Sequence, residues 1–265
     1  MASKVWARFK SWIRRQPGLN YFYAGRALLR HSVFRKAVAA TAREEGKRPT
    51  RTEVINFLLS TFDRETNYLE VGVRNPADNF NKIRAHRKRG VDPGAEFLAN
   101  PVDFRLTSDD FFAALRAGRL PGIEPAIRFD VVFLDGLHLA DPLDRDIGNS
   151  LDFLADDGFI VLHDCNPPTE WHARETFRFS MSPAGLSWNG TSWKAFFKAR
   201  QRHDLQSCCV DCDWGVGVLA KHHPLGAPTT LTNPFFEFGV LDRQREQMLN
   251  LVSYESLVNS LRAPG

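Results

Sequence analysis

A chain of 265 residues with 43% apolar side chains can bury one sizeable core, and a single α/β domain with helical additions suits that length better than two independent domains. It has neither a run of eighteen apolar residues nor a secretory leader's unbroken apolar stretch, which argues against a spanning or exported protein and for the cytoplasm. The formal charge of +4 hides an asymmetry: residues 1–52 hold 13 of the 35 Lys and Arg but only 2 of the 31 Asp and Glu. A basic leading segment therefore precedes an acidic body, and it can dock on anionic lipid, nucleic acid or that body itself.

Within residues 4–15, Val5, Trp6, Phe9, Trp12 and Ile13 recur at helical spacing between Lys and Arg, which predicts an amphipathic basic helix ended by Gln16-Pro17-Gly18. Such a helix suits a membrane interface, a transit peptide, or packing on the domain or a second subunit, with packing the more ordinary outcome. Further helices are expected from Tyr21 to Ala42 and from a capped start at Thr50 to Glu53. The segment 1–60 is thus a basic helical extension, 61–225 the main domain and 226–265 a helical tail.

From Tyr68 the pattern alternates strand and helix, the mark of parallel β/α units. Strands are expected at Tyr68–Val73, Arg89–Pro93, Val102–Leu106, Phe129–Asp135 and Phe159–Leu162. Helices are expected at 76–86, 111–117 and around the stripe of Leu143, Ile147, Leu151 and Leu154, stopped by Asp157-Gly158. Leu205–Val210 and Val216–Ala220 follow closely enough to pair as an antiparallel hairpin, and Leu241–Leu261 is helical in pattern. Cys208, Cys209 and Cys212 crowd into five residues and, with Cys165, read as ordinary buried cysteines of a reducing compartment. No second pair accompanies the Cys209-x-x-Cys212 spacing to complete a zinc site.

Ligands of an open parallel sheet sit beyond the carboxyl ends of its strands. Every strand places polar residues there: Glu70 and Gly72, then Asp92, then Ser108 and Asp109, then Asp135 and His138, then His163, Asp164 and Asn166. Gly72 lets backbone approach a ligand, and an acid twenty residues after the first strand suits the two hydroxyls of a ribose. The turn Arg74-Asn75-Pro76 lacks the glycines that seat a pyrophosphate, which disfavours a dinucleotide.

In this order, Leu69-Glu70-Val71-Gly72-Val73, Gly90-Val91-Asp92-Pro93, Phe129 to His138 and His163-Asp164-Cys165-Asn166-Pro167 resemble the class I S-adenosylmethionine-dependent methyltransferases, in particular the branch of small bacterial sugar and natural-product O-methyltransferases. The resemblance covers roughly Tyr68 to Ala220. It implies a Rossmann-like α/β fold, a seven-stranded, mostly parallel sheet closed by an antiparallel hairpin. It implies that Glu70 and Gly72 line the methionine side of S-adenosylmethionine, that Asp92 holds the ribose and that Ser108 with Asp109 borders the adenine. Val73, Asn75 and Asp135 complete the residues expected around the cofactor.

The sulfonium already activates the methyl group, so the protein must position a hydroxyl in line and remove its proton. His138 is the first candidate base and His163 the second, with Asp164 beside them. Asp135 and Asp164, with Asn166, can converge on a hard cation such as magnesium, as in metal-dependent members of the fold, although Cys165 stands where those carry another acid or amide. Trp188 and Trp193, with Trp171, His172 and Arg174, are candidates for the acceptor rim or for the core.

The expected activity is methyl transfer to a hydroxyl of a sugar, glycan or small metabolite. The alternatives are an NAD(P)-type oxidoreductase on the same sheet and a catalytically inactive methyltransferase fold that docks through its N-terminal helix, on a membrane surface or in a homo-oligomer. Nucleic acid is disfavoured as a substrate, because the basic surplus lies away from the expected cleft and Asn166-Pro167-Pro168-Thr169 lacks the aromatic that would stack on a base.

Overall fold

The computed structural model describes residues 2–97, 99, 101–179 and 181–262. Four helices lead: α1 (Ala2–Arg14), α2 (Pro17–Arg30), α3 (Ser32–Gly46) and α4 (Arg51–Leu59). Pro17 opens α2 at a position where a missing amide costs nothing, and Glu53 accepts the Thr50 amide at 2.8 Å to cap α4. The two ends of this series differ in burial. Helix α2 buries no residue, whereas α4 buries Val54, Ile55, Phe57, Leu58 and Leu59.

Seven strands form one sheet: β1 (Asn67–Val71), β2 (Arg87–Val91), β3 (Phe129–Leu134), β4 (Leu154–Leu162), β5 (Gln206–Val210), β6 (Val216–Ala220) and β7 (Leu251–Val252), in the spatial order β2-β1-β3-β4-β6-β5-β7. The first four run parallel, β6 is antiparallel to both its neighbours, and β7 adds to β5 in parallel. Side chains alternate between the two faces. Val132, Leu134, Ile160 and Leu162 pack with α5 (Ser108–Arg116), α6 (Ala140–Phe153), α7 (Ser192–Ala199) and α8 (Phe238–Leu249), while Val131, Phe133, Phe159 and Val161 pack with α4 and α9 (Tyr254–Arg262). The one acid within β3, Asp130, is buried but accepts the Asn67 amide at 2.7 Å and is bonded by Arg64, so its charge is paired.

Several elements differ from the sequence pattern. The strand expected at 102–106 reduces to a single bridge between Val91 and Phe104, because the Asp103 carboxylate takes the Gly90 amide at 2.8 Å. The helix expected at 76–86 is turns and a 3₁₀ turn, Phe80–Lys82, because the Asn75 side chain accepts the Ala77 amide at 3.2 Å and the Asn79 side chain is turned inward to Glu70. The helix after β3 ends at Phe153, and β4 begins at once with Leu154.

The helix expected over 241–261 is broken at Asn250, whose left-handed backbone (φ +46°) turns the chain into β7. The Asn250 amide also donates to the carbonyls of Ser207 and Leu225, both at 2.9 Å. Asn250→Ala should therefore cost about 2–4 kcal/mol in chemical denaturation, from two lost bonds and a strained φ. Asn250→Gly, which relieves the backbone alone, should recover only about 1 kcal/mol of that; equal stability of all three proteins would contradict this account of the break.

Candidate active site

The sheet order changes direction at β1, which leads first to β2 on one side and then to β3 on the other, and such a switch point opens a crevice. Gly72 lies at its floor with φ +91°, and a Cβ there would collide with the backbone of Asp135 and Gly136. The resulting cleft, about 750 Å3, is lined by ten of the expected residues: Glu70, Gly72, Val73, Asp92, Ser108, Asp109, Asp135, His138, His163 and Asp164. Two others turn elsewhere. The Asn75 amide bonds Asp78 at 3.1 Å, and Asn166 is held between Asp211 at 3.1 Å and Arg245 at 2.6 Å, so it stands apart from Asp135 and Asp164 as a cation ligand.

At one end of the cleft, Glu70 accepts from the Tyr68 hydroxyl at 2.6 Å and the Asn79 amide at 2.9 Å. Burial pushes its carboxyl up to about 7 against those two bonds. Asp92 accepts the backbone amides of Arg74 at 2.7 Å and Gly94 at 2.6 Å, which fixes the carboxylate after β2. Ser108 opens α5, and Asp109 pairs with Arg145 of α6 at 3.0 Å on the outer wall. Between them lies Asp146, which the sequence reading passed over as one polar residue of a striped helix. It is buried, and Oδ1 has no hydrogen-bond partner. Burial pushes it up to about 6, a bond from Ser108 opposing.

At the other end six charged side chains meet. His163 Nδ1 lies 3.2 Å from Asp135 and 3.3 Å from Asp164, and its Nε2 lies 3.4 Å from Asp213. His138 Nδ1 lies 2.9 Å from Asp164 and its Nε2 3.3 Å from Asp135. Arg51 reaches Asp213 at 3.3 Å and Asp135 at 3.7 Å. Burial alone would strip both imidazoles of their protons, but Asp164 and Asp135 outweigh it: His138 is pushed up to about 10, and His163 rises well above its usual range. Three carboxylates are thus balanced by one guanidinium and two imidazolium rings. The fit is imperfect, because Asp135 Oδ1, His163 Nε2 and Arg51 Nε are buried at ion-pair distances yet make no aligned hydrogen bond.

Arg51 and Asp213 were not legible as site residues. Arg51 begins α4, where a cation opposes the helix dipole, and that misplacement is the one signal the sequence carried. Asp213 is delivered by the hairpin turn, where Asp213, Trp214 and Gly215 all have positive φ.

The aromatic residues divide cleanly. Trp188 stacks on His138 (centroids 5.2 Å, planes 14° apart) and meets Phe177 at 5.0 Å with the planes tilted by 37°, and these rings line the cleft with Trp214. Gly190, at φ +61°, brings that loop against the His138 carbonyl, where a Cβ would collide. Trp193 is buried in the core against Phe236 instead. Arg174 spans the carbonyls of Trp171, Gly185 and Ser187, and His172 is buried between Thr41 and Thr169, so both brace the loop.

A family model described as a methyltransferase domain matches residues 36–165, which hold the first four strands and the acid and imidazole groups at their ends. The matched part, just under half of the chain, is a methyltransferase domain. No curated protein matches the chain by sequence. Solved structures similar to it include a Bacillus cereus O-methyltransferase in complex with S-adenosylhomocysteine, 13% identical, covering 72% of this chain and 92% of that one at a TM-score of 0.41. A Podospora anserina methyltransferase bound to S-adenosylhomocysteine is 13% identical and covers 84% and 97% at 0.39. The methyltransferase of mycinamycin biosynthesis, in complex with magnesium, S-adenosylhomocysteine and mycinamycin VI, is 15% identical and covers 78% and 59% at 0.40. The loop carrying Trp188 and the hairpin carrying Asp213 lie beyond the matched residues.

The position of Asp146 gives a pH test. Its folded-state value of about 6 lies above the unfolded value of about 3.9, so its ionisation carries a penalty to folding that is absent near pH 4 and reached in full above about pH 7. Asp146→Asn should stabilise the fold at pH 7.5 by about 3 kcal/mol, read as a higher Tm, and lose that advantage at pH 4. The same gain at both pH values would show that Asp146 is not held in this way.

Proposed function

We propose that this protein transfers the methyl group of S-adenosylmethionine to a hydroxyl of a sugar, glycan or small metabolite. The observation that carries the reading is the group of Asp135, His138 and Asp164 at the mouth of the cofactor cleft, faced by the Trp188 and Phe177 rings. Glu70, at about 7, suits the ammonium of the methionine moiety; Asp92 suits the ribose hydroxyls, and Ser108 and Asp109 the adenine. The unpartnered oxygen of Asp146 offers an acceptor to an N–H of the base. Trp188 and Phe177 offer the flat apolar wall on which a sugar or aromatic ring stacks.

His138 is the proton acceptor in this reading. Both imidazoles face carboxylates on both ring nitrogens, but His138 fronts the cleft with 24% of its side chain exposed, whereas His163 is buried at 8% and serves to position Asp135, Asp164 and Asp213. Between Asp135 and Asp164 the His138 ring is held protonated, so its base form requires those carboxylates to be engaged elsewhere.

A divalent cation fits there. One atom from each of Asp135, His138 and Asp164 lies within 4.8 Å of the others, and Asp135 Oδ1 is buried without a hydrogen bond. Asp135 and Asp164 would hold such an ion, which would lower the pKa of a coordinated acceptor hydroxyl and orient it. Asn166 and Cys165 take no part, since the first is bonded to Asp211 and Arg245 and the second is a buried thiol raised by burial.

Release of S-adenosylhomocysteine should be followed with simple glycosides and catechol as acceptors, before and after chelation and with magnesium restored. Turnover should fall at least tenfold on chelation and return with magnesium, and His138→Asn should lower kcat by about 10²–10⁴ without weakening S-adenosylhomocysteine binding. Methylation of amines in preference to hydroxyls, or full activity in His138→Asn, would overturn the reading.

A further inference from the structure

The residues that precede the matched domain carry a second feature. Residues 1–30 contain seven Lys and Arg and not one Asp or Glu. In α1 the spacing sets Val5, Trp6, Phe9, Trp12 and Ile13 within an arc of about 120°, with Arg8, Lys10 and Arg15 outside it. That arc is open to solvent: Val5 is 68% exposed, Trp6 60%, Trp12 52% and Phe9 46%. The rings form a continuous ridge, with Trp6 to Phe9 at 5.6 Å and Phe9 to Trp12 at 6.1 Å. Helix α2 continues the exposure with Tyr21, Phe22 and Leu29 and buries nothing. The packing on the domain that the periodicity allowed is therefore not made.

We infer that α1 and α2 form a docking arm for an anionic lipid surface. Charge decides the occupant. A second copy pairing arm to arm would bring seven cations against seven, which repel, whereas a leaflet of anionic lipid attracts each nearby Lys or Arg by about 1 kcal/mol. The side-chain types agree, since Trp and Tyr favour the boundary between headgroups and acyl chains, and Lys and Arg reach from it into water. Geometry agrees as well. Helices of 13 and 14 residues are too short to cross a bilayer, and no helix among the described residues is long and apolar enough to do so; an amphipathic helix of this kind lies in the interface plane.

The test is sedimentation of the full chain with vesicles of phosphatidylcholine alone or mixed with phosphatidylglycerol. The protein should bind the mixed vesicles with a blue shift of tryptophan emission, bind phosphatidylcholine at least tenfold more weakly, and lose most binding in 0.5 M salt. The triple variant Trp6→Ala, Phe9→Ala, Trp12→Ala should bind mixed vesicles at least tenfold more weakly at an unchanged Tm, because the replaced side chains are exposed. Absence of binding to the mixed vesicles, equal binding of the variant, or a solution dimer that the triple variant dissolves would overturn the assignment. None of these readouts depends on methyl transfer.

Discussion

The constraint on which the site depends is the crowding of three largely enclosed aspartates, Asp135, Asp164 and Asp213, around the His163 ring. Isolated carboxylates in such surroundings would take up protons or move apart. They stay charged because His138 follows three residues after Asp135, His163 adjoins Asp164, and Arg51 is brought in from the start of α4; Arg51 thereby ties α4 to the hairpin turn, and His138 ties the loop after β3 to Trp188. Removal of any one partner leaves a buried charge uncompensated, so the cluster holds together as a unit. Its three misaligned polar atoms mark it as a place that further contacts, from a cation or an acceptor, would complete.

The sheet makes this assembly possible. Parallel pairing of β1, β2, β3 and β4 brings their carboxyl ends to one edge, so residues far apart in sequence (Gly72, Asp92, Asp135 and Asp164) line one cleft. The reversal of order at β1 opens that edge, and the absence of a Cβ on Gly72 lets the two halves approach. The side of the cleft with Gly72 and Asp92 thus rests on rigid strand ends. The side with Trp188 rests on a loop braced by Arg174 and His172, which suits the acceptor wall proposed for it.

The parallel core was legible because fully buried strands such as Phe129–Leu134 are continuous apolar runs, and the hairpin because its two runs lie close together. What local pattern could not show was competition by side chains. Asp103 displaced most of a strand, Asn75 and Asn79 displaced a helix, and Asn250 cut another in two. At the site, residues at strand ends were found by position, since topology alone places them. Arg51, Asp146 and Asp213 were not, because each comes from a helix or a turn whose local sequence has an ordinary explanation. Asn166 shows the converse: a residue at a strand end whose side chain is claimed by Asp211 and Arg245.

The central claim is that the cleft between the ends of β1, β2 and β3 holds a single nucleoside whose ribose is bound by Asp92. Isothermal calorimetry of S-adenosylhomocysteine and NAD against the full chain and against a folded Asp92→Ala variant tests it directly. The account predicts one-site binding of S-adenosylhomocysteine, no heat with NAD, and a loss of at least tenfold in affinity, about 1.4 kcal/mol, in the variant. Binding of NAD in its place, or an affinity for S-adenosylhomocysteine that Asp92→Ala leaves unchanged, would contradict it.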